Sequence, residues 1–456
     1  MIEQFQHIYF IGIGGIGMSS LARYFNQSGR SVSGYDKTPS ALTDQLQQEG
    51  IDITFLDDED VFIRQLDGTT STDVLVVLTP AIPKDSRLLN YVQQNGYTLK
   101  KRAEVLGLIT RETVNLSVAG THGKTTTSTL LAHLLTQADK PTASFLGGLS
   151  ANFNSNYHNT IPSGKTGFSV AEADEFDRSF LHLKPMYAAI TSVDADHLDI
   201  YGTAEELKKA FTAFGRCVQP EGTLYVQVDQ QSIFHEAGIN ITTYGIEKGT
   251  ISGRHVHIHD NRYVFDLYVR DTVYRNLILG IPGLHNVENA VVASAMALDC
   301  GISEQQLRDG LSSFRGVKRR FEYILREPVV YIDDYAHHPT ELTAFIQSVR
   351  AMYPNQRILG IFQPHLYSRT RDFADGFSAS LSLLDHLIMM DIYPARELPI
   401  DGVDSQMILR KVTCEHELVT KEALVGVVQQ AKADVILTMG AGDIDRFVEP
   451  LKAALS

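Results

Sequence analysis

Cysteine is scarce in this 456-residue sequence: Cys217, Cys300 and Cys414 lie far apart and form no C-x-x-C pair. That excludes a disulfide framework and a cysteine-based zinc site, and leaves three small apolar residues suited to burial. Long apolar runs are missing as well, since none approaches the roughly 18 residues that would suggest a membrane-spanning helix. The apolar segment Ile8 to Ile13 follows Glu3 and runs into a glycine-rich turn rather than a small-residue cleavage pattern, so no secretory signal is expected and a cytoplasmic location is. Basic excess is the third absence. A formal net charge of −14 argues against a broad nucleic-acid surface, yet it leaves room for small phosphorylated molecules, which a few amides and one lysine can hold. No low-complexity linker or fixed-period repeat breaks the chain, and its length predicts roughly two to four domains.

What is present is dominated by two glycine-rich turns. The first follows the apolar strand Ile8 to Ile13: Gly12-Ile13-Gly14-Gly15-Ile16-Gly17 has G-x-G-x-x-G spacing and leads into a helix through Met18, Leu21, Ala22 and Phe25. A second strand, Ser31 to Tyr35, ends in Asp36, where a dinucleotide-binding fold places its ribose-binding acid. Alone, this turn predicts a dinucleotide site and an NAD-dependent oxidoreductase. The other turn is Gly120-Thr121-His122-Gly123-Lys124-Thr125-Thr126, between the apolar strand Val114 to Ala119 and a helical run from Thr129 to Leu135. Here the glycines allow close backbone approach, Lys124 would reach the β- and γ-phosphates of ATP, and the Thr125 hydroxyl would hold Mg2+. Only Thr121 and His122 separate the two glycines, a shorter spacing than the usual phosphate loop.

Acids and histidines gather where further strands end. Phe168 to Ala171 runs into Glu172-Ala173-Asp174-Glu175, and Tyr187 to Val193 into Asp194-Ala195-Asp196-His197, which suits a magnesium site at the carboxyl edge of a sheet. Gly147 to Gly164 reads as a loop, and Arg254 to Val269 as a β-hairpin turning at Asp260-Asn261-Arg262. Its alternating His255, His257 and His259 read as one solvated strand face. From Val317 onward strands Val329 to Ile332, Ile358 to Phe362, His386 to Met390 and Val435 to Met439 alternate with helices. Asp333-Asp334-Tyr335-Ala336-His337-His338-Pro339 and Gln363-Pro364-His365-Leu366-Tyr367-Ser368-Arg369 follow two of them.

The short phosphate loop, the Glu172 to Glu175 turn, His197, Gly283-Leu284-His285-Asn286-Val287-Glu288-Asn289 and Arg319-Arg320-Phe321-Glu322 occur in an order that resembles the Mur ligases along essentially the whole chain. The resemblance implies a three-domain α/β architecture: an N-terminal Rossmann-like domain over residues 1–110, a central P-loop ATPase domain with an added β-hairpin over 111–316, and a C-terminal Rossmann-like domain over 317–456. It also reinterprets the first turn, with Gly14, Gly15, Ile16, Gly17, Met18, Ser19 and Asp36 holding a UDP-sugar instead of NAD. The branch it implies joins L-alanine to the carboxylate of UDP-N-acetylmuramic acid through an acyl phosphate, with ATP and Mg2+. An alternative is the related branch that attaches a whole tripeptide.

By the same resemblance, Gly120, Thr121, His122, Gly123, Lys124, Thr125 and Thr126 surround the ATP phosphates, and Thr125, Glu172 and His197 hold metal. His285 and Asn289 hold the adenine end, Asp334 the ribose, and Arg320 the γ-phosphate. Tyr335, His337 and Arg369 surround the amino acid. Leu366 stands where many members carry a second arginine, so the amino-acid carboxylate is expected on Arg369, with Arg371 as a possible helper. Neither nucleic acid nor membrane is an expected partner, and a monomer or weak homodimer is expected. Lys124→Ala is expected to stop turnover and leave the fold intact.

Overall fold

The computed structural model describes residues 1–456 apart from Met1, Glu3, Ala81, Lys84, Ala195, Asp196, His197 and Arg396, and apart from the side chains of Leu198 and Asp199. Three sheets carry the chain. The first comprises β1 (His7–Ile11), β2 (Ser31–Tyr35), β3 (Asp52–Thr54), β4 (Val74–Leu78) and β5 (Thr98–Lys101), all parallel in the order β3-β2-β1-β4-β5. Every residue of β1 is buried. Ile8 and Phe10 pack in one core with Phe25 and Leu75, while Tyr9 and Ile11 pack in another with Phe62, Leu88 and Val92. A strand covered on both faces needs apolar side chains at successive positions, which is why this segment shows a run and no alternation.

The second sheet has ten strands: β6 (Val114–Ala119), β7 (Thr142–Ser150), β8 (Ser155–Asn159), β9 (Phe168–Glu172), β10 (Tyr187–Ile190), β11 (Thr223–Gln227), β12 (Thr242–Ile246), β13 (Ile251–His259), β14 (Arg262–Val269) and β15 (Thr272–Leu279). Its order is β15-β14-β13-β12-β11-β10-β6-β9-β7-β8, so the strand before the phosphate loop is flanked in parallel by the two strands that end in acids. The third sheet contains β16 (Glu322–Leu325), β17 (Val330–Asp334), β18 (Ile358–Phe362), β19 (His386–Met389), β20 (Glu415–Leu418) and β21 (Val435–Met439), ordered β16-β17-β21-β18-β19-β20. Only β16 is antiparallel to its neighbour.

Two compact units result. One holds Met1–Arg254, Asp266–Leu277 and Glu288–Phe314, and the other His255–Phe265, Ile278–Val287 and Arg315–Ser456. Within the first, the five-stranded sheet is tied to β7 and β8. Gly147 to Gly164, read from its composition as a loop, instead contains the end of β7 and all of β8. Tyr24 packs on Phe145 and Tyr157, with ring centroids 5.7 and 6.1 Å away. Asn156, fully buried, donates to Ser19 Oγ at 2.9 Å and accepts from Arg23, which also holds Glu49 at 2.7 Å. These partners lie more than a hundred residues away in sequence, so the local composition carried no sign of them. Arg23→Ala should cost about 3 kcal/mol, because it leaves Glu49 and the buried amide without their cation. Calorimetric unfolding against wild type measures it, and an unchanged melting temperature would remove this tie from the account.

β10 stops at Ile190 although the apolar pattern runs to Val193. Beyond it the Thr191 nitrogen still donates to the Ala119 carbonyl at 3.0 Å, and the hydroxyls of Thr191 and Ser192 hydrogen-bond the phosphate loop. The expected hairpin is present as β13 and β14, turning through Asp260 and Asn261 at φ 49° and 56°, the left-handed pair that a two-residue hairpin turn requires. His255, His257 and His259 are exposed on β13. Cys300 is buried, Cys217 and Cys414 are half-buried, and all three are free thiols.

Candidate active site

The loop after β6 is shaped by its glycines. Gly120 has φ 135°, and a Cβ there would lie 2.0 Å from Thr191 Oγ1 and 2.8 Å from the Ser192 nitrogen. Gly123 has φ 81°, and a Cβ there would lie 2.7 Å from Asn289 Oδ1. Only glycine meets both demands at once. The end of β10 braces the turn: the Thr121 nitrogen donates to the Ser192 carbonyl at 3.1 Å, the His122 nitrogen to Ser192 Oγ at 2.8 Å, and Thr191 Oγ1 to the His122 carbonyl. His122 Nε2 lies 3.4 Å from Asp194. The helix Lys124–Gln137 follows directly, with Thr125 and Thr126 buried in its first turn.

Lys124 turns back over this loop. Its Nζ bonds Glu175 Oε1 at 2.9 Å and also the Gly120 carbonyl. Burial pulls the ammonium's pKa down, but Glu175 first, then Glu172 and Asp174, more than reverse that and leave it above the ordinary value. Glu175 is 1% exposed. The Glu172 carboxylate accepts from the Gly147 nitrogen at 3.2 Å, and a Cβ on Gly147 would fall 2.1 Å from it. A hydroxyl at Thr125 and a carboxylate at Glu172 are hard oxygen donors of the kind magnesium prefers, so the donor set fits that ion. His197, expected as a metal ligand, lies outside the described residues.

At the first turn, Asp36 Oδ2 accepts from the Gly14 nitrogen at 2.7 Å and Oδ1 from the Thr38 nitrogen at 3.2 Å. Gly15 caps the helix Ile16–Gln27. Arg102 lies against Gly17, its Nη1 2.1 Å from where a Cβ would stand, and Arg102 Nη2 reaches Asp174 at 2.9 Å. Met18 and Ser19, expected among the UDP-sugar ligands, are turned into the protein. Met18 is core and Ser19 Oγ serves Asn156, while both their amides are spent on the Gly15 carbonyl.

The second unit gathers another cluster after β17. Both oxygens of buried Asp334 accept backbone amides, from Phe321 and Ala336, each at 2.7 Å. Burial pushes its carboxyl up to about 6 against the pull of Arg320 and those amides. Asp334 therefore braces the turn in which Arg320 sits. The Tyr335 ring faces the Arg320 and Arg319 guanidiniums at 5.1 and 5.3 Å, and the His337 ring at 5.1 Å. Arg319 is anchored by Asp333 at 3.0 Å and the Gly440 carbonyl at 2.8 Å. His285 is held neutral, lowered to about 4 by burial and then by Arg320; its Nδ1 lies 3.4 Å from Ser348 Oγ. Arg369 lies in the first turn of the helix Tyr367–Leu381 and acts electrostatically on His337. Leu366 caps that helix with φ 70°. Arg371, the possible helper, is turned to Asp372 at 2.7 Å and is half exposed.

Sequence reasoning singled out the residues that carry the motifs and missed their partners. In the sequence Glu175 is only one member of an acidic turn, and Thr191, Ser192 and Arg102 belong to no motif. Glu341 lies 3.6 Å from Arg320 and 3.3 Å from His337. Its one signal was a place four residues after His337 in a helix start, where such side chains meet.

Three family models match in succession: "Mur ligase family, catalytic domain" over residues 7–113, "Mur ligase middle domain" over 118–297 and "Mur ligase, glutamate ligase domain" over 319–442. The UDP-N-acetylmuramate–L-alanine ligase of Flavobacterium johnsoniae is 46% identical over 457 aligned residues, covering 100% of this chain and 99% of that one. The protein of the same name from Porphyromonas gingivalis is 48% identical, covering 99% of each. Among solved structures, the UDP-N-acetylmuramate-alanine ligase of Thermotoga maritima superposes with a TM-score of 0.80 at 28% identity, covering 98% of each chain. A murein peptide ligase from Psychrobacter arcticus shares the fold, with a TM-score of 0.71 at 24% identity over 99% of this chain and 98% of that one. With its three sheets in this order, its short phosphate loop and full-length similarity of this degree, the chain belongs to the Mur ligase family.

Proposed function

We propose that this protein joins L-alanine to the carboxylate of UDP-N-acetylmuramic acid, cleaving ATP to ADP and phosphate, as a step in peptidoglycan precursor synthesis. The observation that carries the reading is Lys124, held among Glu172, Asp174 and Glu175 at the carboxyl edge of the ten-stranded sheet, in a chain that matches ligases of that name from end to end. A free carboxylate acylates an amine poorly. Transfer of the γ-phosphoryl group to it gives an acyl phosphate whose leaving group is good, and the amine then displaces phosphate.

Each side chain has a task set by its chemistry. The backbone of Gly120–Thr126 and the Lys124 ammonium gather phosphate oxygens, with Lys124 leaving Glu175 for them. Thr125 and Glu172 would hold magnesium, which would supply positive charge against the transferring group. Arg320 neutralises the γ-phosphate, and Arg369 offers a planar fork to the α-carboxylate of the amino acid. The turn Gly14–Gly17 with Asp36 holds the UDP part and His285 and Asn289 the adenine, and His197 would hold a second metal. The domain limits proposed are 1–110, 111–316 and 317–456.

The test is phosphate release with product mass from purified protein, ATP, Mg2+ and UDP-N-acetylmuramic acid, comparing L-alanine, glycine, L-serine and the tripeptide. Release that depends on L-alanine, with the matching amide, is expected. Release with the tripeptide alone would move the protein to the tripeptide-adding branch, and no release would leave the phosphate loop without this chemistry.

A further inference from the structure

One largely covered carboxylate faces two of the groups proposed above. Glu341 stands in the first turn of the helix Pro339–Met352, and its side chain is 12% exposed. Its oxygens divide the work. Oε1 faces Arg320 Nη1 at 3.6 Å, while Oε2 accepts from the His337 nitrogen at 3.0 Å and lies 3.3 Å from His337 Nδ1. Nδ1 is also 2.9 Å from the Tyr335 carbonyl. Both oxygens facing Nδ1 are acceptors only, so Nδ1 carries the ring proton, and Nε2 carries the lone pair.

We infer that Glu341 is a positioning residue which, through His337 Nδ1, fixes the imidazole as the base that takes a proton from the incoming ammonium group. The inference rests on the ligase reading above. L-alanine arrives as an ammonium ion and cannot attack until one proton leaves. That proton goes to His337 Nε2. The freed lone pair forms the C–N bond to the acyl phosphate carbonyl, and the C–O bond to phosphorus's oxygen breaks with its electron pair. The surplus proton on the new amide nitrogen departs with inorganic phosphate, and His337 returns its proton to solvent. An imidazole with a carboxylate behind its other nitrogen is the arrangement that general bases use elsewhere.

The surroundings of His337 agree. Burial lowers its pKa to about 4, Glu341 raises it, and Arg369 and then Arg320 lower it. Tyr335 and His365 present their rings at 5.1 and 6.3 Å. His337 is thus neutral at pH 7, with Nε2 able to accept a proton, and Glu341 is the group that raises its basicity against burial and the two arginines. When Arg320 turns to a phosphate, Glu341 keeps its hold on His337 alone and strengthens it as a base.

The experiment separates amine activation from acyl phosphate formation. Hydroxylamine is uncharged at neutral pH and traps acyl phosphates without needing a base, so the ratio of alanine ligation to hydroxamate formation reports the proton transfer. Wild type, E341Q, E341D, H337Q and the E341Q/H337Q double variant are compared with ATP, Mg2+ and UDP-N-acetylmuramic acid. E341Q should lower that ratio about 10²-fold, with the acid limb of its pH profile moved to lower pH. E341D should recover part of the ratio, and the double variant should be no worse than H337Q. An unchanged ratio in E341Q, or multiplied losses in the double variant, would overturn the inference while leaving the ligase reading intact. Wild type that forms hydroxamate or nothing, and no alanine amide, would overturn both. Should E341Q not fold, E341D carries the same comparison.

Discussion

Lys124→Ala should lower phosphate release about 10³-fold or more and should also destabilise the protein, by about 3 kcal/mol. The first effect follows from the role proposed for Lys124, the cation that would face the phosphoryl oxygens. The second departs from the sequence-based expectation of an intact fold, and its cause is Glu175. That acid is 1% exposed and 2.9 Å from the ammonium, so truncating the lysine strands a buried carboxylate. Since the folded-state pKa of Lys124 lies above the ordinary 10.5, the stability that comes from its charge is present below that pH and is lost as pH rises through the folded value. A double variant, K124A/E175Q, should recover much of the stability and none of the turnover. Urea unfolding and phosphate release on the four proteins of the cycle measure both. Normal turnover in K124A would end the phosphate-loop assignment, and equal stability would show that the pair contributes nothing.

Gly120→Ala should be the more damaging change to the fold of the site, because two independent penalties coincide. At φ 135° a side chain is strained, and its Cβ would fall 2.0 Å from Thr191 Oγ1 and 2.8 Å from the Ser192 backbone. The second clash is with main chain, which cannot swing aside as a long side chain can. Strain and overpacking together cost about 3 kcal/mol or more. The strands β6 and β10 must then part, and with them the hydrogen bonds that hold Thr121 and His122. Gly15→Ala is the control. Its φ is −67° and its nearest Cβ neighbour would be 3.6 Å away, so its melting temperature should stay close to wild type. If G120A melts with G15A and keeps nucleotide binding, the loop is more plastic than its geometry implies.

These two glycines mark the limit of what the sequence made legible. Both glycine-rich turns were visible as strand, turn and helix, and β2, β6, β18 and β21 fall where the apolar runs placed them. Parallel strands buried on both faces leave that trace because every position faces a core. Lys124, the acids from Glu172 to Glu175 and the segments that hold Arg320 and His337 stood out as motifs, because the chemistry proposed for them demands fixed residue types at fixed spacings. Whether a given glycine is obligatory was not legible. Gly17 is crowded only by the guanidinium end of Arg102, eighty-five residues later, which can swing aside, whereas Gly15 meets nothing closer than 3.6 Å. The stretch from Gly147 to Gly164 misled for the same reason: its polar residues look solvated until Arg23 and Ser19 are brought to Asn156.

The alternation of strands and helices, the two glycine-rich turns and the family could all be read from the chain alone, since local periodicity and motif spacing survive without knowledge of distant partners. Tertiary structure alone decided the partners: Glu175 for Lys124, Thr191 and Ser192 for the loop, Arg102 for Asp174, and Glu341 for both Arg320 and His337. The physical reason is charge in a poor solvent. A buried ammonium, guanidinium or imidazole must be answered within a few ångströms, and which residue answers it is settled by how strands and helices pack rather than by their order along the chain.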